Sequence, residues 1–228
     1  MAADYYQALG LELTRGFWLS LKIIGPSAVG GFLIGLVTGA VRGAGHPRFL
    51  ARLLDGYVAL FRGTALLVQI FIVYYGLPNL AQALNLPPFW KALLSLSPYQ
   101  ASVLVFALCS GAYHSEYIRG AVLSIGRGQF QAARALGFTR FQTFAHIVLP
   151  QALRRAWPGC GNEIIYLIKY SSLAFVVSAR ELTGAAQSVS NTYFRFTETF
   201  LVAGLYYLAL VTLATWLFQR LEKAWARP

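Results

Sequence analysis

Seven side chains stand out for the charge or polar groups they carry inside otherwise apolar stretches of this sequence: Arg62, Gln69, Glu116, Glu163, Lys169, Ser171 and Ser172. Lys169, Ser171 and Ser172 place an ammonium and two hydroxyls within one helical turn. That chemistry suits a carboxylate, with the charge pair offsetting desolvation. The competing reading pairs Lys169 with Glu163 or Glu116 to hold helices together. Arg119 follows Glu116 by three residues, the spacing of an intrahelical ion pair, and a gate or pathway role is its alternative. Arg62, Gly63, Thr64 and Gln69 form a polar stripe in an apolar stretch, which points toward protein or water rather than lipid.

Catalytic and metal chemistry find little support. The sequence has no GxxxxGK[ST] phosphate loop, no GxGxxG, no HExxH and no GxSxG. His46, His114 and His146 stand apart from one another and from Cys109 and Cys160, so no metal site is expected. Both cysteines read as small buried hydrophobes. His114 and Glu116 lack a nucleophile or metal partner, which argues against an intramembrane enzyme.

The elements that must position these groups follow from composition. Of 228 residues, 57% are hydrophobic and only 12% are charged, and the mean hydropathy is +0.55. A soluble fold of this size would lack the polar residues to cover its surface, so an all-α integral membrane protein is expected, as a single domain. Five stretches are apolar enough to cross a bilayer: Phe17–Val41, Gly56–Leu77, Gln100–Ile118, Cys160–Val177 and Thr199–Phe218. The fourth is the least apolar, carrying Glu163 and Lys169. No basic n-region precedes the first, so a cleaved signal peptide is not expected.

The net charge of +11 separates by loop. Arg42, Arg48 and Arg52 lie between spans 1 and 2. Arg119, Arg127, Arg134, Arg140, Arg154 and Arg155 lie between spans 3 and 4, and Arg220, Lys223 and Arg227 follow span 5. The remaining segments are nearly balanced. Basic residues are retained on the cytoplasmic side, so five spans with the N-terminus outside and the C-terminus inside satisfy every loop. The charge is therefore a topology signal, and no nucleic-acid partner is expected.

Gly31, Gly35 and Gly39 recur every four residues in span 1, allowing close approach of another helix, within the chain or from a second subunit. Pro26 is a candidate kink. The outer segment Leu80–Ser97 is expected along the interface, with Trp90 at headgroup depth. The Gly-, Ala- and Ser-rich segment Ser178–Ser190 is a candidate cover for the outer mouth of a path. The inner loop, about residues 127–157, reads as a short helix from Gln129 to Leu136, a stop at Gly137, and a second helical stretch ending at Pro150. Such a helix–Gly–helix element suits a groove on a soluble partner.

That loop resembles the EAA loop of ATP-binding-cassette importer permeases. Gln131, Ala132, Ala133, Gly137, Ile147, Leu149 and Pro150 match its pattern in register, with Gln131 where the family usually has Glu. The chain is also similar to the polar amino acid uptake permeases at Tyr57–Gln69 (YVALFRGTALLVQ, with Ala65 for the usual Pro), at Gly111–Gln129, and at Asn162-Glu163 followed by Leu167–Ala174. The resemblance implies a five-span import permease, working as a dimer with a second copy or a paralogue. It also implies a cytoplasmic ATPase that binds ATP and Mg, coupled through residues 131–150 with Arg134 and Arg140 projecting charge, and an extracytoplasmic binding protein delivering the amino acid. No cofactor is expected in this chain itself, which would sit in a prokaryotic cell membrane. In related permeases the Lys-x-Ser-Ser stretch borders the translocation path, which extends the carboxylate reading of Lys169 to an amino acid. An ion-gradient-driven carrier or channel using Glu116 and Lys169 is the alternative from another class.

Overall fold

The computed structural model describes residues 2–45 and 48–225, and all regular structure among them is helical. His46 and Arg227 lie outside them. The longest element is α1 (Ala2–Ala44), 43 residues, or roughly 64 Å at 1.5 Å per residue. It packs along α6 (Pro98–Leu123) more extensively than any other helix pair. Its glycines explain the fit. A Cβ at Gly31 would lie 2.9 Å from Ser110 Cβ, one at Gly39 would lie 2.7 Å from the Ser115 carbonyl oxygen, and one at Gly35 would collide with His114 Cβ. The four-residue repeat therefore serves packing within the chain. Pro26 lies inside α1 without ending it.

The N-terminal part of α1 continues well before the expected span. Tyr5, Leu9 and Leu13 are buried against Leu182, Ala185, Ala186 and Val189 of α10 (Leu182–Tyr193) and Ala203 of α11 (Phe196–Trp225). Residues 178–190, read from sequence as a covering loop, instead form most of α10. The side chain of Glu181 caps this helix, accepting from the amides of Thr183 and Gly184 at 3.0 Å each.

The expected second span is broken. Helix α2 (Arg48–Gly63) stops and α3 (Leu66–Phe71) starts after Thr64 and Ala65. The Gln69 amide closes the gap, donating to the Phe61 carbonyl at 2.9 Å and to Thr64 Oγ1 at 2.8 Å. A π-helical turn (Ile72–Gly76) leads into α4 (Leu77–Ala83). Then α5 (Pro88–Leu94) meets α6 at a 70° bend. Ser97 and Gln100 start α6 with a reciprocal capping box.

Helix α7 (Arg127–Ala135) is followed by α8 (Arg140–Thr143), a π turn (Phe144–Val148) and α9 (Leu149–Tyr170). The helical stretch expected to end at Pro150 thus runs on through it. The π turn is the reason: Leu149 N–H bonds back to the Phe144 carbonyl, a wider turn that accommodates a proline at the next position. After Tyr170 the chain tightens into a 3-10 helix (Ser171–Val177), so the fourth expected span changes helix type on its way.

Ala3–Ala44, Leu66–Ala83 and Phe196–Ala224 are long and apolar enough to cross a membrane, and the bent pair of α5 and α6 supplies a fourth such element. The α9 region does not meet that measure. Arg154, Arg155, Glu163 and Lys169 lie on it.

Candidate translocation face and coupling element

Helices α6 and α9 pack side by side and carry three of the seven polar residues singled out from sequence, Glu116, Glu163 and Lys169. Tyr113, Glu116 and Tyr117 recur at helical spacing on α6, and all three are half-buried. On α9, Glu163 is buried, while Tyr166 and Lys169 are exposed. The Lys169 ammonium lies 5.1 Å over the Tyr166 ring, and Tyr166 stacks on Tyr170 with centroids 6.0 Å apart. Lys169 forms no ion pair with Glu163 or Glu116. Among the described residues its charge is met by an aromatic face, worth about 0.5–1 kcal/mol at an exposed site.

Ser171 and Ser172 do not present free hydroxyl protons beside it. Ser171 is buried and donates to the Ile168 carbonyl at 2.7 Å, and Ser172 donates to the Lys169 carbonyl at 2.8 Å. Gln69 is likewise buried, its amide engaged at the α2–α3 break. Glu163 lies in the packed interface of α9 with α6, within electrostatic reach of Tyr113, Tyr117 and Tyr170.

The second centre is built on Glu116. Arg42, from α1, reaches Glu116 Oε1 at 2.6 Å and Asp55 Oδ1 of α2 at 2.7 Å. Its side chain is only 7% exposed, against 58% for Asp55 and 26% for Glu116. Arg62 and Arg119 approach Glu116 Oε2 at 3.7 and 3.8 Å. Arg62 also lies over Tyr113, 5.2 Å from the ring centroid. The face thus runs from Lys169 through Tyr166, Tyr170 and Tyr113 to Arg62, Glu116 and Arg119. A part-exposed row of charges in a chain this apolar faces water or protein, since lipid would cost about 2.5–3.5 kcal/mol per charge.

The candidate coupling element is built by two local signals. Gly137 takes φ +79°, and Phe138 N–H and Gly137 N–H bond back to the carbonyls of Ala133 and Arg134 at 3.0 Å each. That double bond pattern ends α7 at a left-handed glycine. Two residues on, Thr139 and Gln142 form a reciprocal capping box that starts α8. Ala133 is buried, while Gln131, Ala132, Arg134, Gly137 and Arg140 are exposed. Leu136 and Phe141 are 76% and 78% exposed, an apolar pair displayed at the tip. Ile147 and Leu149 are half-buried and Pro150 is exposed. Below them, Phe130, Phe144 and Val148 pack with Ile118, Val122 and Ile125 of the α6 end, anchoring the loop. Arg155 adds bonds to the Ser124 carbonyl and hydroxyl at 2.7 and 3.0 Å.

A further polar knot joins α1, α10 and α11. Glu181 accepts from Tyr207 Oη at 2.8 Å and from Ser20 Oγ at 3.3 Å, in addition to its capping bonds. Burial pushes its carboxyl above the ordinary range, and the donated hydrogen bonds hold it back.

Sequence reasoning missed four of these residues. Tyr113 and Tyr166 were legible as i, i+3 neighbours of Glu116 and Glu163. Glu181, three residues before Gly184 and an apolar run, carried a helix-start signal. Arg42 had none, because its partners lie on other helices.

The geometry has counterparts among known proteins. The family model described as "Binding-protein-dependent transport system inner membrane component" matches residues 31–227. The chain belongs to this family of membrane transport components. Its relatives include the nopaline transport system permease protein NocM of Agrobacterium fabrum, 37% identical over 82% of this chain and 79% of that protein. The L-cystine transport system permease protein TcyL of Bacillus subtilis is 34% identical over 92% of this chain and 86% of its own. The glutamine transport system permease protein GlnP of Escherichia coli is also 34% identical, over 92% and 91%. Among solved structures, a chain of an amino acid ABC transporter crystallised with histidines superposes with a TM-score of 0.82 at 25% identity, covering 98% of this chain and 97% of that one. A chain of the MetNI methionine ABC transporter in an inward-facing conformation, with a TM-score of 0.77 and 22% identity over 95% and 97%, shares the fold of this family member.

Proposed function

We propose that the chain is the permease subunit of an ATP-driven importer that moves a polar or charged L-amino acid inward. The observation that carries this reading is the coupling element: a capped helix–Gly–helix tip with exposed Gln131, Ala132, Leu136 and Phe141, anchored by its base to α6. An exposed apolar pair on an otherwise polar loop is suited to a groove on a partner protein. The partner is a cytoplasmic ATPase that binds ATP and Mg, and the relatives' substrates make the cargo an amino acid or its derivative.

The basic residues between the first and second expected spans, between the third and fourth, and after the fifth set the N-terminus outside and the C-terminus inside, in the inner membrane of a prokaryote. A binding protein delivers the amino acid at the outer side, and Lys169 meets its carboxylate on the polar face. That face is shared with a second permease, identical or closely related. Closure of the ATPase draws on the coupling tip and swings the helices from an inward-open to an outward-open state, and hydrolysis resets them.

The test is Gly137→Asp in the assembled transporter. At φ +79° a Cβ strains the turn that shapes the tip. The variant is expected in the membrane at normal levels, with ATP hydrolysis no longer linked to amino acid uptake. Normal uptake would remove the coupling assignment, and uptake that survives ATP depletion but collapses with an uncoupler would favour a gradient-driven carrier.

A further inference from the structure

Three guanidiniums converge on Glu116, and only one is fully engaged. Arg42 binds Glu116 Oε1 and Asp55 Oδ1 and donates to Ser115 Oγ at 3.1 Å, so its fork is satisfied and its side chain buried. Arg62 and Arg119 stand 3.7 and 3.8 Å from Glu116 Oε2, beyond hydrogen-bonding length. Neither has another ion pair among the described residues. They are 42% and 39% exposed; with Arg42 the three guanidiniums carry one positive charge more than Glu116 and Asp55, and the buried Glu163 lies within electrostatic reach of Arg62.

A planar guanidinium fork matches a carboxylate bidentately, and two forks side by side select it over a neutral group. The Tyr113 ring under Arg62 fixes one fork in place. Glu116 Oε2 competes for both, which limits affinity and lets a ligand leave.

We infer that Arg62 and Arg119 form a second carboxylate station on the polar face, beyond Lys169 and toward the coupling loop, which takes the carboxylate of the transported amino acid as it is released. This rests on the importer reading above. The station makes the face more cationic than Lys169 alone, so the chain disfavours cargo of net positive charge.

The experiment uses the permease purified with its ATPase in nanodiscs, in a Lys169→Ala background that removes the first station. L-Glutamate is titrated against L-glutaminamide, which lacks carboxylates, by saturation-transfer nuclear magnetic resonance. Carboxylate-dependent binding of glutamate is expected. Adding Arg119→Gln or Arg62→Gln should weaken it by on the order of tenfold, the loss of one charge-assisted contact. Arg119→Lys, which keeps the charge without the fork, should lose less. Unchanged melting temperatures show that these variants fold.

Absence of carboxylate-dependent binding, or binding indifferent to both substitutions, overturns the station. So does a result in which Arg119→Gln only separates two permease copies, which would make the cluster an interface. ATP-driven uptake by the complex with Lys169 intact, in liposomes supplied with the binding protein, reports the importer reading separately. Uptake with indifferent binding sinks the station alone, while absent uptake sinks the importer reading whatever the binding shows.

Discussion

The close contact of α1 and α6 makes an unusually sharp prediction from a single methyl group. At Gly35 a Cβ would collide with His114 Cβ and stand 2.9 Å from the Gly111 carbonyl oxygen and 3.0 Å from the Ser115 nitrogen. Two of these three neighbours are backbone atoms, which cannot rotate away, so Gly35→Ala forces the helices apart. Overpacking of this kind costs about 1–3 kcal/mol. At Gly10, on the same helix, an added Cβ meets nothing within 4 Å, so Gly10→Ala gains only helix propensity, about 1 kcal/mol. The same substitution therefore has opposite signs at two sites, and the variants should differ by about 2–4 kcal/mol. For a chain of this length that is on the order of 10 °C in melting temperature. The assay is thermal unfolding in mild detergent, read as loss of the monodisperse chromatographic peak. Equal melting temperatures for the two variants would refute the account of the glycine repeat as intramolecular packing.

Three other outcomes follow from the site. Arg42→Met leaves Glu116 and Asp55 without their shared cation, and detergent unfolding should show a loss of about 2 kcal/mol, reduced from the fully buried case because Asp55 is largely exposed. Lys169→Ala should cut amino acid uptake by on the order of tenfold while the ATPase still co-purifies; unchanged uptake would return Lys169 to a structural role. Gln69→Leu removes the amide that donates to Phe61 and Thr64 carbonyls across the α2–α3 break, costing about 1–3 kcal/mol in the same unfolding assay. A neutral result would separate Gln69 from the break.

Much of the molecule was legible wherever the signal was local. The glycine period of α1, the apolar length of α11 and the helix–Gly–helix shape of the inner loop all depend on neighbours a few residues apart, and each appears in the fold. The Gln131–Pro150 pattern also led to the family that the chain belongs to. What escaped depends on partners far along the chain or on departures from ideal helices. Gly56–Leu77 reads as one span because apolarity does not register a break that Gln69 bridges with a side chain. Pro150 reads as a stop because a preceding π turn leaves no trace in hydropathy. The bonding of Ser171 and Ser172 was not legible for a related reason: in a 3-10 turn their hydroxyls donate to the carbonyls of Ile168 and Lys169. Arg42 looked like a topology charge, yet its side chain folds back to join α1, α2 and α6.

The most direct test of the central claim is a mild-detergent pull-down of the tagged chain from its native membrane, with mass spectrometry of the bound proteins and small molecules. The importer reading predicts a P-loop ATPase in the eluate, with a second permease copy or paralogue and an amino acid as co-purifying cargo. Recovery of the chain alone, stable and without an ATPase, would contradict it and move a gradient-driven carrier to first place.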